Sequence, residues 1–209
     1  MHVKTPIVAT KRGHLDTAHP LGDPEIRALL KARVFAAKDK TTVRPVLIEE
    51  LGLLRRRVRV DIAVVGDLIH GYEIKSDRDT LRRLPRQVMV YGEICDRATL
   101  VVGARFVEDA LEILPSWWGV FAVLSGKSGI NRLVRRRASR PNPARSARSL
   151  AEFLWMEEAL RLLEARGGVR GYRGKPRSVL WDRICDLYTV DEIASEVRLR
   201  LKARPRAWI

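Results

Sequence analysis

The sequence predicts an α/β protein in which helices flank a mixed β-sheet. Short β-rich or continuously apolar segments alternate with segments whose apolar residues recur every three or four positions. In chain order they give a helix, three strands, a helix, a strand, a helix and a strand, which combines hairpins with crossovers as a mixed sheet requires. With 209 residues, 46% of them hydrophobic, the chain is long enough for one such domain and a smaller appendage.

The N-terminal part predicts a lead-in, a helix and a β-leaning segment. Residues 1–22 mix charges, Gly and Pro without periodicity, which is typical of a flexible segment. Asp23 at the N-cap and Pro24 at the first helical position then open a helix. The run of residues 43–51 favours a short strand or a turn.

The central part predicts the sheet. Strands over residues 55–65 and 68–76 are joined by a tight hairpin. A helix over residues 79–95 follows, with Asp79 as its N-cap, and Pro85 predicts a kink or a late start. The remaining elements are a strand over 98–102, a helix over 107–114 and a strand over 118–124.

Beyond residue 125 the chain changes character. Residues 126–149 are rich in Arg and interrupted by Pro, which predicts a basic linker. Residues 150–165 predict a helix that ends at Gly167–Gly168, and Thr189 with Glu192 matches a capping box that opens a last helix. The predicted organisation is a flexible segment (1–22), a core domain (23–125), a basic linker (126–149) and a helical extension (150–209).

The charge of the chain favours a polyanionic partner. Its 40 Lys and Arg residues exceed its 25 Asp and Glu residues, which gives a net charge of +15. Residues 126–209 hold 20 of the basic residues against 9 acids, whereas residues 1–125 hold 20 against 16. Such an excess favours binding to phosphates, with release of counterions, although ribosomal and membrane-surface proteins share it.

Three charged residues on two neighbouring strands form the candidate active site. Asp61 interrupts the apolar run of residues 60–65, where a carboxylate without a partner would be costly. Glu73 and Lys75 leave the same face of a strand roughly 7 Å apart, and Ile74 faces the opposite, buried side. Two carboxylates and an ammonium group at a sheet edge are the minimum for metal-assisted phosphodiester hydrolysis. The competing interpretation is a solvated strand face with surface ion pairs.

The spacing of these residues resembles the signature of the PD-(D/E)xK nuclease superfamily. Asp61 is followed, after eleven residues, by Glu73–Lys75, although Val60 stands where a proline is often found. The segment Gln87–Tyr91 is similar to the Q-x-x-x-Y helix motif of the RecB-like branch. The wider stretch of residues 59–103 looks like the MmcB-like DNA repair proteins.

The resemblance implies a restriction-endonuclease-like fold and Mg²⁺-dependent cleavage of DNA, with Mn²⁺ as an alternative ion. Asp61, Glu73 and the backbone carbonyl of Ile74 would bind the metal ion. Lys75 would orient or deprotonate the attacking water, or pair with the scissile phosphate. The expected setting is DNA repair, recombination or defence against mobile elements and phages.

Further residues would complete such a site. An additional acid is expected from Glu25, near the start of the first helix, or from Glu50, which the resemblance favours. Glu25 has the alternative role of compensating the helix dipole. Gln87 and Tyr91 lie one helical turn apart and would support the metal site or contact DNA, although Tyr91 also fits a core-facing aromatic.

Two arginine clusters are candidate DNA-binding segments. Arg55, Arg56 and Arg57 precede the strand of Asp61 and would flank the cleft. Arg135, Arg136 and Arg137 lie in the predicted linker and would follow the DNA backbone, or would simply be solvated. Two other functions stay open: a non-cleaving nuclease-fold accessory protein that binds DNA, and an RNA-binding protein in which the acidic motif is coincidental.

Cysteine usage and hydropathy indicate a cytoplasmic protein. Cys95 and Cys185 are isolated, which argues against a zinc site and suits a reducing compartment. The N-terminus lacks a long apolar region, and no run of about 18 uncharged apolar residues follows. We therefore expect DNA rather than a membrane as partner, and a homodimer if both strands are cut.

Overall fold

The computed structural model is an α/β protein with a mixed sheet flanked by helices, as the sequence predicts. It describes residues 21–36, 45–55, 57–125 and 131–204. Its elements are α1 (Asp23–Ala36), β1 (Val46–Leu53), β2 (Val58–Val65), β3 (Ile69–Lys75), α2 (Leu84–Ile94), β4 (Arg97–Gly103), a 3₁₀ turn (Ala104–Phe106), α3 (Val107–Ile113), β5 (Gly119–Ser125), β6 (Asn131–Arg137), α4 (Ala147–Ala151), α5 (Met156–Ala165), α6 (Arg177–Leu187) and α7 (Val190–Ala203).

The strands form one sheet in chain order, from β1 to β6. β1, β2 and β3 pair antiparallel, β3, β4 and β5 pair parallel, and β6 pairs antiparallel with β5. The two parallel pairs need crossovers, which α2 and α3 supply. The strand with Glu73 and Lys75 is therefore an interior strand, not the sheet edge that we expected.

Helices cover both faces of the sheet. On one face Ile26 and Leu30 of α1 pack on Ile62, Ile74 and Val101. On the other face a larger core joins the sheet to α2, α3 and the C-terminal helices. Representative buried members of this core are Leu100, Trp118, Leu150, Leu163, Trp181 and Val197.

The C-terminal helices therefore share the hydrophobic core of the sheet. The helix predicted over residues 150–165 is divided into α4 and α5 by a turn at residues 152–155. α5 ends at Ala165, where Gly167 has a φ of 67° and the Gly168 amide donates to the Leu163 carbonyl, as the glycine pair predicts. α6 was not predicted from the sequence, and the capping box of Thr189 and Glu192 at α7 is confirmed.

The prediction of a linker over residues 126–149 is wrong at residues 131–137. Residues 131–137 form β6, because their backbone pairs with β5 along the edge of the sheet. Arg137 is held there by hydrogen bonds to the backbone carbonyls of Trp118 and Pro115. The prediction failed because the high arginine content is typical of a linker, whereas the strand is stabilised by backbone hydrogen bonds to its neighbour β5.

The side-chain alternation of β1 and β2 changes phase at one point. On β2 the residues that face the larger core switch from even to odd positions between residues 60 and 63. On β1 the same switch occurs between residues 48 and 51. Glu50 and Asp61 lie at this switch, between the pairs Glu49–Ile62 and Leu51–Val60, and Glu50 has a left-handed backbone with a φ of 55°. The two carboxylates thus occupy an irregular point in an otherwise regular ladder.

Two helix starts differ from the sequence prediction. α2 begins at Leu84, five residues later than predicted, with Pro85 in its first turn. Asp79 does not cap it; its carboxylate accepts hydrogen bonds from the Ser76 amide (2.8 Å) and hydroxyl (2.6 Å), closing the turn after β3. Asp23 is the first residue of α1 rather than its N-cap.

In the described residues, every helix is too short or too polar to cross a lipid bilayer.

Candidate active site

A cavity of about 470 Å³ lies where β1, β2, β3 and α2 approach one another. Its wall combines acidic and basic side chains, with few apolar ones. The acids are Asp23, Glu50, Asp61, Glu73 and Asp79, and the basic residues are Arg57, Arg59, Lys75, Arg83 and Arg86. The cavity therefore brings together the three residues of the D…ExK pattern.

β3 places Glu73 and Lys75 on the same face, as the strand period predicts. Ile74 points to the opposite face, into the small core under α1. Glu73 and Lys75 are only 1% and 4% exposed, and the Lys75 ammonium donates a hydrogen bond to Glu73 Oε1. This burial is inconsistent with a solvated strand face.

α2 fixes the Glu73 carboxylate from the other side. The Gln87 amide donates to Glu73 Oε1, and the Tyr91 hydroxyl donates to Glu73 Oε2 at 2.7 Å. The Tyr91 ring is also buried, with its centroid 5.1 Å from that of Trp118. Tyr91 is thus a core aromatic, as one interpretation of the sequence has it, and it also donates a hydrogen bond to Glu73.

Burial and the nearby Glu73 carboxylate raise the pKa of Tyr91 well above its usual value. The phenol therefore stays protonated and acts as a hydrogen-bond donor to Glu73. Together with Lys75 and Gln87 it gives this carboxylate three donors, which hold it in one orientation.

Asp61 is held at the wall of the same cavity. Its Oδ2 atom accepts a hydrogen bond from the Ile74 amide at 2.7 Å, which links β2 to β3. Burial raises the pKa of Asp61 to about 7, and repulsion from Glu73 adds to the increase. The charged form of Asp61 is therefore disfavoured unless a cation lies close to it.

Of the two acids predicted to complete the site, Glu50 lies at this cavity and Glu25 does not. Glu50 lines it from β1, at the same point of the β1–β2 ladder as Asp61. Glu25 is exposed on α1 and is absent from the cavity wall. The prediction of Glu25 was wrong because α1 turns Ile26 and Leu30 toward the sheet, so that Glu25 projects to solvent.

Arg27 links these acids and was missed in the sequence. Its guanidinium donates to Glu50 Oε1 at 2.7 Å and to the Asp61 backbone carbonyl at 2.9 Å, and lies 3.3 Å from Asp61 Oδ1. It also pairs with Asp23, one helical turn earlier. The sequence gives no signal for this role, because it depends on how α1 packs on the sheet.

The oxygen atoms at the cavity are of the type that a hard divalent cation binds. Within the described ranges, no three His, Cys, Asp or Glu side chains are grouped closely enough to hold a metal by themselves. Asp61 and Glu73 nevertheless share one cavity, and the Gln87 Oε1 atom is buried without a hydrogen-bond partner. Carboxylate, amide and backbone oxygens with several waters are what Mg²⁺ accepts. By the chemistry of their oxygens, Asp61 and Glu73 are suited to such an ion.

The predicted arginine clusters are divided by the fold. Arg57 lines the cavity, but Arg55 lies 3.7 Å from Glu152 and over the ring of Trp181, away from it. Arg56 lies outside the described residues. Their different directions follow from the tight turn between β1 and β2, in which Leu54 and Arg55 have positive φ angles.

Arg135, Arg136 and Arg137 do not reach the cavity. They lie on β6, at the edge of the sheet opposite β1, because the segment pairs with β5. Arg136 is 3.9 Å from Glu108, and Arg137 binds backbone carbonyls. In their place the cavity has Arg59, Arg83 and Arg86, which were not predicted.

Sequence comparison identifies the family. Residues 20–205 match the family model described as bacteriophage P4 protein cII. The chain belongs to the bacteriophage P4 protein cII family. Within this family, protein cII of Enterobacteria phage P4 is 27% identical over 84 residues, which are 40% of this chain. The match spans only 32% of the length of that relative.

A solved structure shows a distant likeness. A protein of unknown function from Silicibacter pomeroyi is 21% identical and superposes with a TM-score of 0.42, over 72% of this chain and 92% of that one. None of these descriptions names a substrate or a reaction.

Proposed function

We propose that this protein is a metal-dependent nuclease of the PD-(D/E)xK type that hydrolyses phosphodiester bonds in DNA. The observation that carries the proposal is the convergence of Asp61, Glu73 and Lys75 at one polar cavity. Gln87 and Tyr91 add to it, since both donate hydrogen bonds to Glu73 and could thereby support a metal site, which is one role that the Q-x-x-x-Y resemblance implies. The net charge of +15 supports a polyanionic substrate.

Asp61 and Glu73 are the residues that would hold Mg²⁺ or Mn²⁺, with the Ile74 carbonyl and Glu50 as further candidates. When bound there, the ion would acidify an attacking water and offset charge on the phosphate. Because the Asp61 carboxyl has a pKa near 7, a cation at the site would also displace its proton.

The other residues would position the reacting groups. Three donors keep Glu73 in place, so its carboxylate needs no reorganisation when substrate arrives. Lys75 is held at the cavity wall by Glu73, where its ammonium group would contact the scissile phosphate or orient the water. The orphaned Gln87 Oε1 is a hydrogen-bond acceptor for a water molecule at the same point.

The test is cleavage of labelled single-stranded, duplex and branched DNA in Mg²⁺ or Mn²⁺. We expect cutting by the wild-type protein, and its loss in Lys75→Met and Asp61→Asn. Lys175→Ala is the matched control, because it removes one exposed positive charge far along the chain from the cavity residues. Thermal melting of each variant separates loss of activity from loss of folding.

A second candidate is a DNA-binding accessory protein that does not cut. Arg27 favours it, because its guanidinium already supplies a positive charge to Glu50 and Asp61. In that case DNA would bind in a salt-sensitive manner, no metal would support cleavage, and Lys75→Met would leave binding unchanged. A cytoplasmic location and a homodimer suit either function and stay predictions.

A further inference from the structure

Three guanidinium groups at the cavity have no partner within the described residues. Of the five basic side chains in the cavity wall, Lys75 is paired with Glu73, and Arg59 lies 3.5 Å from Glu50. Arg57, Arg83 and Arg86 are exposed, and none of them makes an ion pair or a side-chain hydrogen bond in that part of the chain. The positive charge they bring to the cavity is therefore available to a ligand.

Arg83 and Arg86 stand at an unfavourable place for arginine. Arg83 is the N-cap of α2 and Arg86 lies in its first turn, where the helix dipole is positive and no acidic residue is present. Cations are normally found at the opposite end of a helix. Two arginines at the N-terminus of α2 are therefore contrary to the usual charge distribution of a helix, and such exceptions are expected at functional sites.

Arg57 reaches the cavity from a second element. It follows the β1–β2 turn, whose residues Leu54 and Arg55 have φ angles of 47° and 55°. Residues other than glycine rarely adopt this backbone conformation, and the strain that it stores is typical of functional segments. The turn directs Arg57 to the cavity and Arg55 away from it.

The acids at the base of this cavity would repel a phosphate that approached alone. A phosphodiester can approach Asp61 and Glu73 only if cations beside them bind its neighbouring phosphates. Guanidinium groups suit this task, because they stay charged and match phosphate oxygens in a bidentate manner.

We infer that Arg57, Arg83 and Arg86 form a phosphate-binding site for the DNA strand that enters the cavity. The strand passes between the β1–β2 turn and the first turn of α2, and its backbone is bound without regard to base sequence. The inference rests on the proposed function in naming DNA as the ligand, but it concerns binding and not cleavage.

The test measures binding of a fluorescent 30-base-pair DNA in EDTA, so that neither metal nor cleavage contributes. The logarithm of the binding constant is plotted against the logarithm of salt concentration for the wild type and the double variant Arg83→Ala, Arg86→Ala. Each lost phosphate contact should reduce the steepness of this plot by about 0.9. The double variant should thus lose about 1.8 in slope, or roughly 60-fold in affinity at 0.1 M salt if affinities are equal at 1 M.

Arg82→Ala is the matched control. Arg82 is exposed and adjacent to Arg83, but it does not line the cavity. It should leave the slope unchanged, Arg57→Ala should lower it by about 0.9, and the lysine variants of Arg83 and Arg86 should restore most of it. Equal losses in Arg82→Ala and Arg83→Ala would overturn the site, since only overall charge would then matter.

The two proposals fail in different ways. Loss of slope in the double variant, together with an uncut DNA panel, would refute the nuclease and keep the phosphate site. Metal-dependent cutting by the wild type, with an unchanged slope in the double variant, would refute the phosphate site and keep the nuclease.

Discussion

Replacing Asp61 by asparagine should make the protein more stable at pH 8 while removing its proposed activity. Asparagine keeps the shape of the side chain, and its Oδ1 can still accept the hydrogen bond from the Ile74 amide. What it removes is a negative charge that is buried and repelled by Glu73. The change therefore tests the electrostatics of the cavity apart from its packing.

The expected effect follows from the pKa of Asp61. In the folded protein the pKa of Asp61 is about 7, against an ordinary 3.8. Between about pH 4 and pH 7 the carboxyl is therefore protonated in the folded protein and ionised in the unfolded chain. Stability must fall as pH rises through this window, with a slope of at most about 1.4 kcal/mol per pH unit. The full difference of about 3 units corresponds to roughly 4 kcal/mol at pH 8.

The assay is urea unfolding of the wild type and Asp61→Asn at pH 4, 5, 6, 7 and 8. The difference between the two proteins cancels the titration of carboxylates remote from Asp61, and it should grow in favour of the variant from pH 4 to pH 8. Mg²⁺ at 100 times its dissociation constant should stabilise the wild type by about 2.7 kcal/mol and leave the variant unchanged.

Parallel stability curves across this range would refute a raised pKa of Asp61. A variant less stable than the wild type at pH 8 would also refute it, because Asp61 would then stabilise the fold as the ion-pair partner of Arg27.

Three further predictions concern the surroundings of the site. Tyr91→Phe keeps the ring on Trp118 but removes the donor to Glu73, and should lower the free energy of unfolding by about 1.5–3 kcal/mol; a normal urea midpoint would contradict this. Gly71→Ala would place a Cβ 2.9 Å from both Cys95 Sγ and Tyr91 Cε1, so overpacking should destabilise by about 1–3 kcal/mol, measured by thermal melting against Gly174→Ala, which meets open space. Leu163→Ala should lower the stability of the whole protein by about 2–5 kcal/mol in a single transition, whereas separate melting of the C-terminal helices would disprove the shared core.

The sequence by itself was sufficient where the information is local. A strand period of two puts Glu73 and Lys75 on one face and Ile74 on the other, and a helix period places Gln87 and Tyr91 together. The capping box at α7 and the glycines after α5 are equally local, and both are confirmed. Each of these features depends on residues within one element, so its geometry is set by the backbone alone.

Only the tertiary structure decided which distant residues meet. The strand register brings Glu50 and Asp61 to the same point of the β1–β2 ladder, and Arg27 contacts both because α1 packs on that face of the sheet. Arg135 lies at the edge of the sheet and not at the cavity, because its strand forms hydrogen bonds with β5. Sheet register and helix packing depend on the burial of the whole core. The spacing of residues within a single segment therefore does not predict them.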